Sequence, residues 1–215
     1  MPCVAALRDT LSRQTNAAGL FPACPAAFAA PGFAFFPNIL PRAIRRGDTT
    51  EISRMTIQVG DTLPTVNLAL ATADGPQPTT STDFAKGRKV VIFGVPGAFT
   101  GVCSNNHLPG FLEHLDAIKA KGVDEVAVIS VNDPFVMKAW AVQTGALGKI
   151  AFLCDGSALF AKAAGLDLDL TERGLGMRSK RYSMIVEDGK VVALNIEETP
   201  GTAETSGAVR LLEML

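Results

Sequence analysis

Apolar and polar positions alternate along the second three-quarters of the chain in blocks of two kinds. Lys89–Val95 (Lys-Val-Val-Ile-Phe-Gly-Val) and Glu125–Val131 are near-continuous apolar runs. Runs of this length without alternation are those of parallel strands buried on both faces. Val66–Ala71 and Ile150–Cys154 predict two further strands, each followed by turn residues, Asp74-Gly75-Pro76 and Asp155-Gly156-Ser157. Between them lie segments of helical character. One runs from about Val102 to Lys121, with Pro109 placed to kink it after its first turn and Gly122 to end it. Asp133-Pro134 opens another, because aspartate caps a helix N-terminus and proline fits its first turn. Ala158–Ala164 predicts a third.

Tyr182–Glu187 and Lys190–Glu197 flank Asp188-Gly189, a dipeptide that favours a two-residue hairpin with positive φ at both positions. Ser206–Met214 closes the chain as a helix. Parallel strand–helix–strand units followed by a hairpin and a helix predict an α/β architecture. The order is that of a thioredoxin-like fold, so a central mixed sheet flanked by helices is expected.

Composition changes near Met55. Residues 1–54 hold six arginines, no lysine, three acids and six of the 13 prolines, for a net charge of +3; the remainder carries −4. The domain is therefore expected over 55–215, with 1–54 as an extension outside it. Arginine-rich, acid-poor composition suits a mitochondrial or plastid transit peptide. An inert tail, or translation from a start upstream of Met55, remains the other reading. The apolar stretch Ala26–Leu40 is interrupted by Pro31 and Pro37 and falls short of the ~20 residues that span a bilayer, so no membrane anchor is expected. A net charge of −1 gives no reason to expect nucleic acid as a partner.

Four scattered cysteines (Cys3, Cys24, Cys103, Cys154) contain no Cys-x-x-Cys pair. This argues against a dithiol oxidoreductase and a clustered zinc site. It suits a reducing compartment, and a cytoplasmic location is expected unless residues 1–54 direct the chain to an organelle.

The candidate chemistry is concentrated just after the Lys89–Val95 strand. Pro96-Gly97-Ala98-Phe99-Thr100-Gly101-Val102-Cys103 brings a proline, a threonine and a cysteine to one tight loop. Cys103 is placed in the first turn of a helix, where unpaired N–H groups favour the thiolate, the nucleophilic form. Two histidines, His107 and His114, follow. His107 lies on the helical face of Cys103, which makes a Cys–His pair conceivable. With so few candidate ligands, a capping or surface role is the expectation for both. Gly174-Leu175-Gly176 lacks the context of a dinucleotide loop and predicts a turn.

The pattern Pro96-x-x-x-Thr100-x-x-Cys103 resembles the signature of the peroxiredoxins. Val95-Pro96-Gly97-Ala98-Phe99-Thr100 with His107-Leu108-Pro109-Gly110-Phe111 is similar to the type II or type 5 branch. So are Ile129–Val136 and Gly176–Ser183, and the resemblance extends over about residues 57 to 215. It implies a thiol peroxidase that reduces hydrogen peroxide and organic hydroperoxides to water and alcohols, with Cys103 as nucleophile and a sulfenic acid as intermediate. It implies that Thr100 hydrogen-bonds sulfur and peroxide, that Pro96 shields the sulfur from water, and that Arg181, in Lys180-Arg181-Tyr182-Ser183, stabilises developing charge. A homodimer is implied as well; Phe99 and Phe135 are candidates for its interface, or for the core.

No metal, haem or flavin is expected, because the thiolate itself does the chemistry. Where relatives carry proline after the threonine, this chain has Gly101. Where relatives of either branch carry a second, resolving cysteine, it has none: not in Gly201–Ser206, and not in Val126–Ile129. Only Cys154 remains in the domain. A one-cysteine cycle recycled by an external thiol, most simply glutathione with glutaredoxin, is therefore expected. The alternatives are a thioredoxin-recycled enzyme that resolves through Cys154, a peroxide sensor or redox relay using the same cysteine, and a binding module without catalysis.

Overall fold

A computed structural model of the chain describes residues 55–215. The expectations for residues 1–54, as targeting segment, tail or upstream translation, and for Ala26–Leu40, lie outside the described residues.

The domain opens with β1 (Asn67–Thr72) and β2 (Gly75–Thr80), a short α1 (Ser81–Ala85) and β3 (Lys89–Val95). A π turn (Cys103–His107) follows, then α2 (Leu108–Glu113), α3 (Leu115–Ala120) and β4 (Glu125–Ser130). After these come α4 (Pro134–Gln143), β5 (Ala151–Cys154) and α5 (Leu159–Ala163). β6 (Asp167–Leu170) and β7 (Gly176–Ser179) form a separate two-stranded sheet. β8 (Tyr182–Glu187), β9 (Lys190–Ile196) and α6 (Ala208–Leu212) complete the chain.

Seven strands make one mixed sheet in the order β2-β1-β5-β4-β3-β8-β9. Its centre, β5-β4-β3, is parallel, and β1, β2, β8 and β9 join antiparallel. This is the expected thioredoxin-like arrangement. The apolar runs have a direct physical reason. On β3, Val91, Phe93 and Val95 face one core while Val90 and Ile92 face the other. The first core takes Phe111, Ile118, Trp140 and Leu211 from α2, α3, α4 and α6; the second takes Phe84 and Phe160 from α1 and α5. Each large side chain fully buried in this way contributes about 1.5–3 kcal/mol.

Asp133 caps α4 as expected, its carboxylate accepting from the N–H groups of Phe135 and Val136. Asp188 and Gly189 both have positive φ in the β8–β9 turn. Three elements depart from expectation. β2 follows where the sequence predicts only a turn, Asp74-Gly75-Pro76; its Pro76 and Pro78 are tolerated because it is the sheet's edge. The β6–β7 hairpin was absent from the sequence reading except for its turn, where Gly174 and Gly176 adopt left-handed φ. The expected helix over 102–121 is divided into the π turn, α2 and α3. Between α2 and α3, His114 leaves helical geometry at φ −98° and ψ 9°.

Candidate active site

β3 ends buried and delivers Pro96, itself buried, to a loop at the carboxyl end of the parallel strands. Asn132, just beyond β4, holds this loop. Its Oδ1 accepts from Ala98 N (3.0 Å) and from Ser130 Oγ (2.8 Å). Phe99 turns the chain with left-handed backbone (φ 63°), a conformation uncommon for an aromatic residue, and leaves its ring half exposed. Thr100 donates its hydroxyl to Gly97 O (2.9 Å), while its carbonyl accepts from Ser104 N (3.0 Å) as the helical turn begins. The hydroxyl therefore does not cap the helix; it closes the loop on itself. Trp140 of α4 donates its indole N–H to Ser104 Oγ (3.0 Å) and pins the turn from the other side.

Cys103 begins the π turn and is fully buried. Its carbonyl accepts from Leu108 N, five residues on rather than four. Pro109 explains the widening. It has no N–H to give Asn105, and its ring crowds the carbonyl four residues back in an α-helix. The longer turn relieves both problems, so the disturbance expected of Pro109 after the helix's first turn falls within that turn instead.

Arg181 stands just before β8 and is 2% exposed. Nη2 lies 3.4 Å from Cys103 Sγ, and the same nitrogen donates to Pro200 O at 2.9 Å. Nε donates to Pro200 O at 3.3 Å. Nη1 lies 3.2 Å from His107 Nδ1. A guanidinium can only donate, so Nδ1 accepts and the imidazole carries its proton on Nε2. Nε2 donates to Ser206 O (3.0 Å), with Ser206 Oγ at 3.3 Å. Burial, and secondarily the charge of Arg181, lowers the His107 pKa from 6.5 to about 4 despite the opposing Ser206 carbonyl and Glu197. The imidazole is therefore neutral at pH 7.

Glu197, 9% exposed, accepts from Ser206 N (2.7 Å), Ser206 Oγ (2.9 Å) and Thr202 Oγ1 (3.2 Å). One carboxylate thus folds the segment whose carbonyls hold Arg181 and His107.

The structure brings Cys103 and Arg181 together, with Pro96 and Thr100 on the loop leading to the thiol. His107 is a correction to the sequence reading. It stands at the start of α2, but its side chain caps nothing and is not at the surface; it is a buried acceptor for Arg181, packed edge-on against Phe93 and Phe111. It reaches Cys103 through the guanidinium rather than by a direct bond. His114 places Nδ1 2.9 Å from Gly110 O. Asn132, Glu197 and Ser206 were not singled out in the sequence. For Asn132 a signal existed, its place in the Ser130-Val131-Asn132-Asp133 block. Glu197 and Ser206 offered none. Phe99 and Phe135 are exposed (48% and 74%) rather than core residues.

Cys154 ends β5, opposite Ser130 of β4 and Ala69 of β1. It is buried and free, and its thiol donates to Phe152 O at 3.5 Å. Burial, with a smaller push from Asp133, raises its pKa to about 12.

A mixed sheet of this order with helices on both faces defines the thioredoxin-like class, and here a buried cysteine stands in the helical turn beyond its central strand β3. Within that class the chain matches the Redoxin family over residues 58–212. It is 48% identical to Peroxiredoxin-2C of Oryza sativa subsp. japonica over 160 residues, 74% of this chain and 98% of that protein. It is 51% identical to mitochondrial Peroxiredoxin-2F of Arabidopsis thaliana over 134 residues, 62% of this chain and 67% of that one. Among solved structures, reduced Prx3 of Vibrio vulnificus in complex with H2O2 superposes with a TM-score of 0.70 at 45% identity, covering 74% of this chain and 99% of that one. The chain belongs to the peroxiredoxin family. It is a thiol-dependent peroxidase.

Proposed function

We propose that Cys103 is the peroxidatic nucleophile for hydrogen peroxide and organic hydroperoxides, and that an external thiol, glutathione with glutaredoxin, recycles it. The observation that carries this reading is the buried guanidinium of Arg181 with Nη2 3.4 Å from Cys103 Sγ. The thiolate attacks the terminal peroxide oxygen. An S–O bond forms as the O–O bond breaks, sulfur becomes a sulfenic acid, and the leaving alkoxide or hydroxide takes up a proton.

Arg181 stabilises the thiolate and then the charge on the leaving oxygen. Thr100 has spent its own proton on Gly97 O, so its oxygen is available to accept from the peroxide O–H. Pro96 covers the sulfur with an apolar ring. Electrons come from sulfur alone, so the reading requires no metal or organic cofactor.

Two observations support an external reductant. The domain's second thiol is buried and its pKa is raised to about 12, which leaves little thiolate for attack. No cysteine occurs over 197–215. Exposed Phe99, in the loop, and Phe135, on the first turn of α4, are apolar surface that a homodimer would cover. A cytoplasmic site is the simplest location; the organelle alternative keeps its force from relatives named mitochondrial and chloroplastic.

Intact mass of the full chain after one equivalent of peroxide tests the cycle. Gain of one oxygen, replaced by one glutathione when that thiol is present, is expected. Loss of two hydrogens with no mixed adduct overturns it in favour of a Cys103–Cys154 disulfide. Rapid oxidation with negligible turnover on glutathione and glutaredoxin would indicate a sensor or relay.

A further inference from the structure

A second arginine stands beside the same loop and no step above uses it. Arg178 lies on β7 opposite Leu168 and is half-buried, whereas Cys103 and Arg181 are buried. Its Nε donates to Leu175 O at 2.7 Å, which orients the planar fork. Nη1 sits so close to Gly97 that a Cβ there would stand 2.9 Å from it, and 3.2 Å from the Thr100 methyl. The guanidinium therefore lies against the loop that carries Pro96 and Thr100.

Among the described residues it has no ionic partner. Among the described residues the salt bridges are Lys89–Glu187 and Arg210–Glu213, and neither Nη of Arg178 meets a hydrogen-bond acceptor. A fixed cation beside the loop, with Nε tethered and neither Nη engaged by an acceptor among the described residues, matches a planar oxyanion presented by a bound molecule.

We propose that Arg178 recognises a carboxylate on the thiol that recycles Cys103. This rests on the external-thiol reading above. Peroxide reacts at the buried sulfur beside Arg181. A thiol must bring its sulfur to that point while the rest of its body stays at the rim, where Arg178 stands. The step served is attack of the thiolate on the Cys103 sulfenic acid. An S–S bond forms, the S–O bond breaks, and the departing hydroxide takes a proton to leave as water. A second thiolate then displaces Cys103 as thiolate, releasing the disulfide of the reductant. Arg178 is a specificity residue for this half-cycle and leaves the peroxide half-cycle alone.

The full chain is oxidised with one equivalent of H2O2. The sulfenic acid is then reacted, in single turnover, with 3-mercaptopropionate, 2-mercaptoethanol and cysteamine, each corrected for its thiolate fraction. The native chain should prefer 3-mercaptopropionate. Arg178→Gln should lose about tenfold of that preference, the effect of one charge-assisted contact, and Arg178→Lys should keep most of it. Rates with 2-mercaptoethanol and H2O2 should not change.

Equal selectivity in the native chain and Arg178→Gln overturns the proposal. So does a uniform slowing with every thiol and with H2O2, which would mark a purely structural role. A second arm compares linoleic acid hydroperoxide with its methyl ester. Loss of preference there and not among the thiols assigns the carboxylate site to the peroxide instead and also overturns it. Failure of glutathione with glutaredoxin in steady state would remove the reductant named above, while the small-thiol series would still read the charge preference.

Discussion

Two cysteines lie in the same apolar core, one beyond the end of β3 and one at the end of β5. Both are buried and free, yet their surroundings differ in every respect that bears on reactivity. Cys103 faces a guanidinium and starts a helical turn. Cys154 faces a backbone carbonyl, with Asp133 as the charge that matters, and its thiol is pushed up to about 12. Burial alone disfavours a thiolate. What distinguishes Cys103 is a cation buried with it and held by its own acceptors. Reactivity is a property of the company the sulfur keeps, and that company comes from elements far apart in the chain.

The sharpest way to break the contrast is to remove each sulfur in turn. Cys103→Ser should reduce peroxide turnover to background, whereas Cys154→Ser should leave it within about twofold, as expected of a near-isosteric change away from the chemistry. Equal loss in both would abolish the distinction. Next in size is Arg181→Gln. Removing one preorganised donor from a developing oxyanion costs about 10²–10³ in rate, and stopped-flow oxidation by H2O2 should show a fall of that order. A change below threefold would mean that Arg181 serves only the fold.

The third test is thermodynamic. His107 has a folded pKa of about 4 against 6.5 unfolded, so the unfolded chain binds the extra proton between these values. The stability it confers is complete above pH 6.5 and is lost as pH falls toward 4, by about 3 kcal/mol. Urea melts of the native chain and His107→Asn across this range should diverge in slope, the variant being flatter. Parallel slopes would refute the neutral, Arg181-facing imidazole. The smallest effect concerns the loop. Asn132→Ala leaves Ala98 N without its acceptor and should destabilise by about 1–3 kcal/mol. Thermal melts would register this, and no change would mean that another group holds the loop.

The parts of this site that were legible in the sequence are local. Pro96, Thr100 and Cys103 sit within eight residues, and β3 announces itself because both of its faces are buried. Arg181 was legible only through its family motif. The remainder depends on distance along the chain. His107 meets Arg181 across 74 residues and Ser206 across 99, so no window of sequence contains the evidence for its burial. A histidine four residues after a cysteine suggested either a pair or a surface side chain. The structure instead interposes a guanidinium between them. Strand β2 begins inside the expected turn Asp74-Gly75-Pro76, and its prolines are harmless only at an edge, which is a property of the assembled sheet.

The π turn at Cys103 has a consequence for chain length. It holds one residue more than an α turn would, and that surplus makes room for the Pro109 ring. Deleting Asn105 or Asn106 would restore ordinary pitch and set the Pro109 ring against the carbonyl four residues before it, straining the turn that carries Cys103 although Cys103, Arg181 and His107 would all still be present. At Asn105 and Asn106 the count of residues matters more than their identity. Substitutions at exposed Asn105 and Asn106 should be absorbed, while insertions and deletions should not.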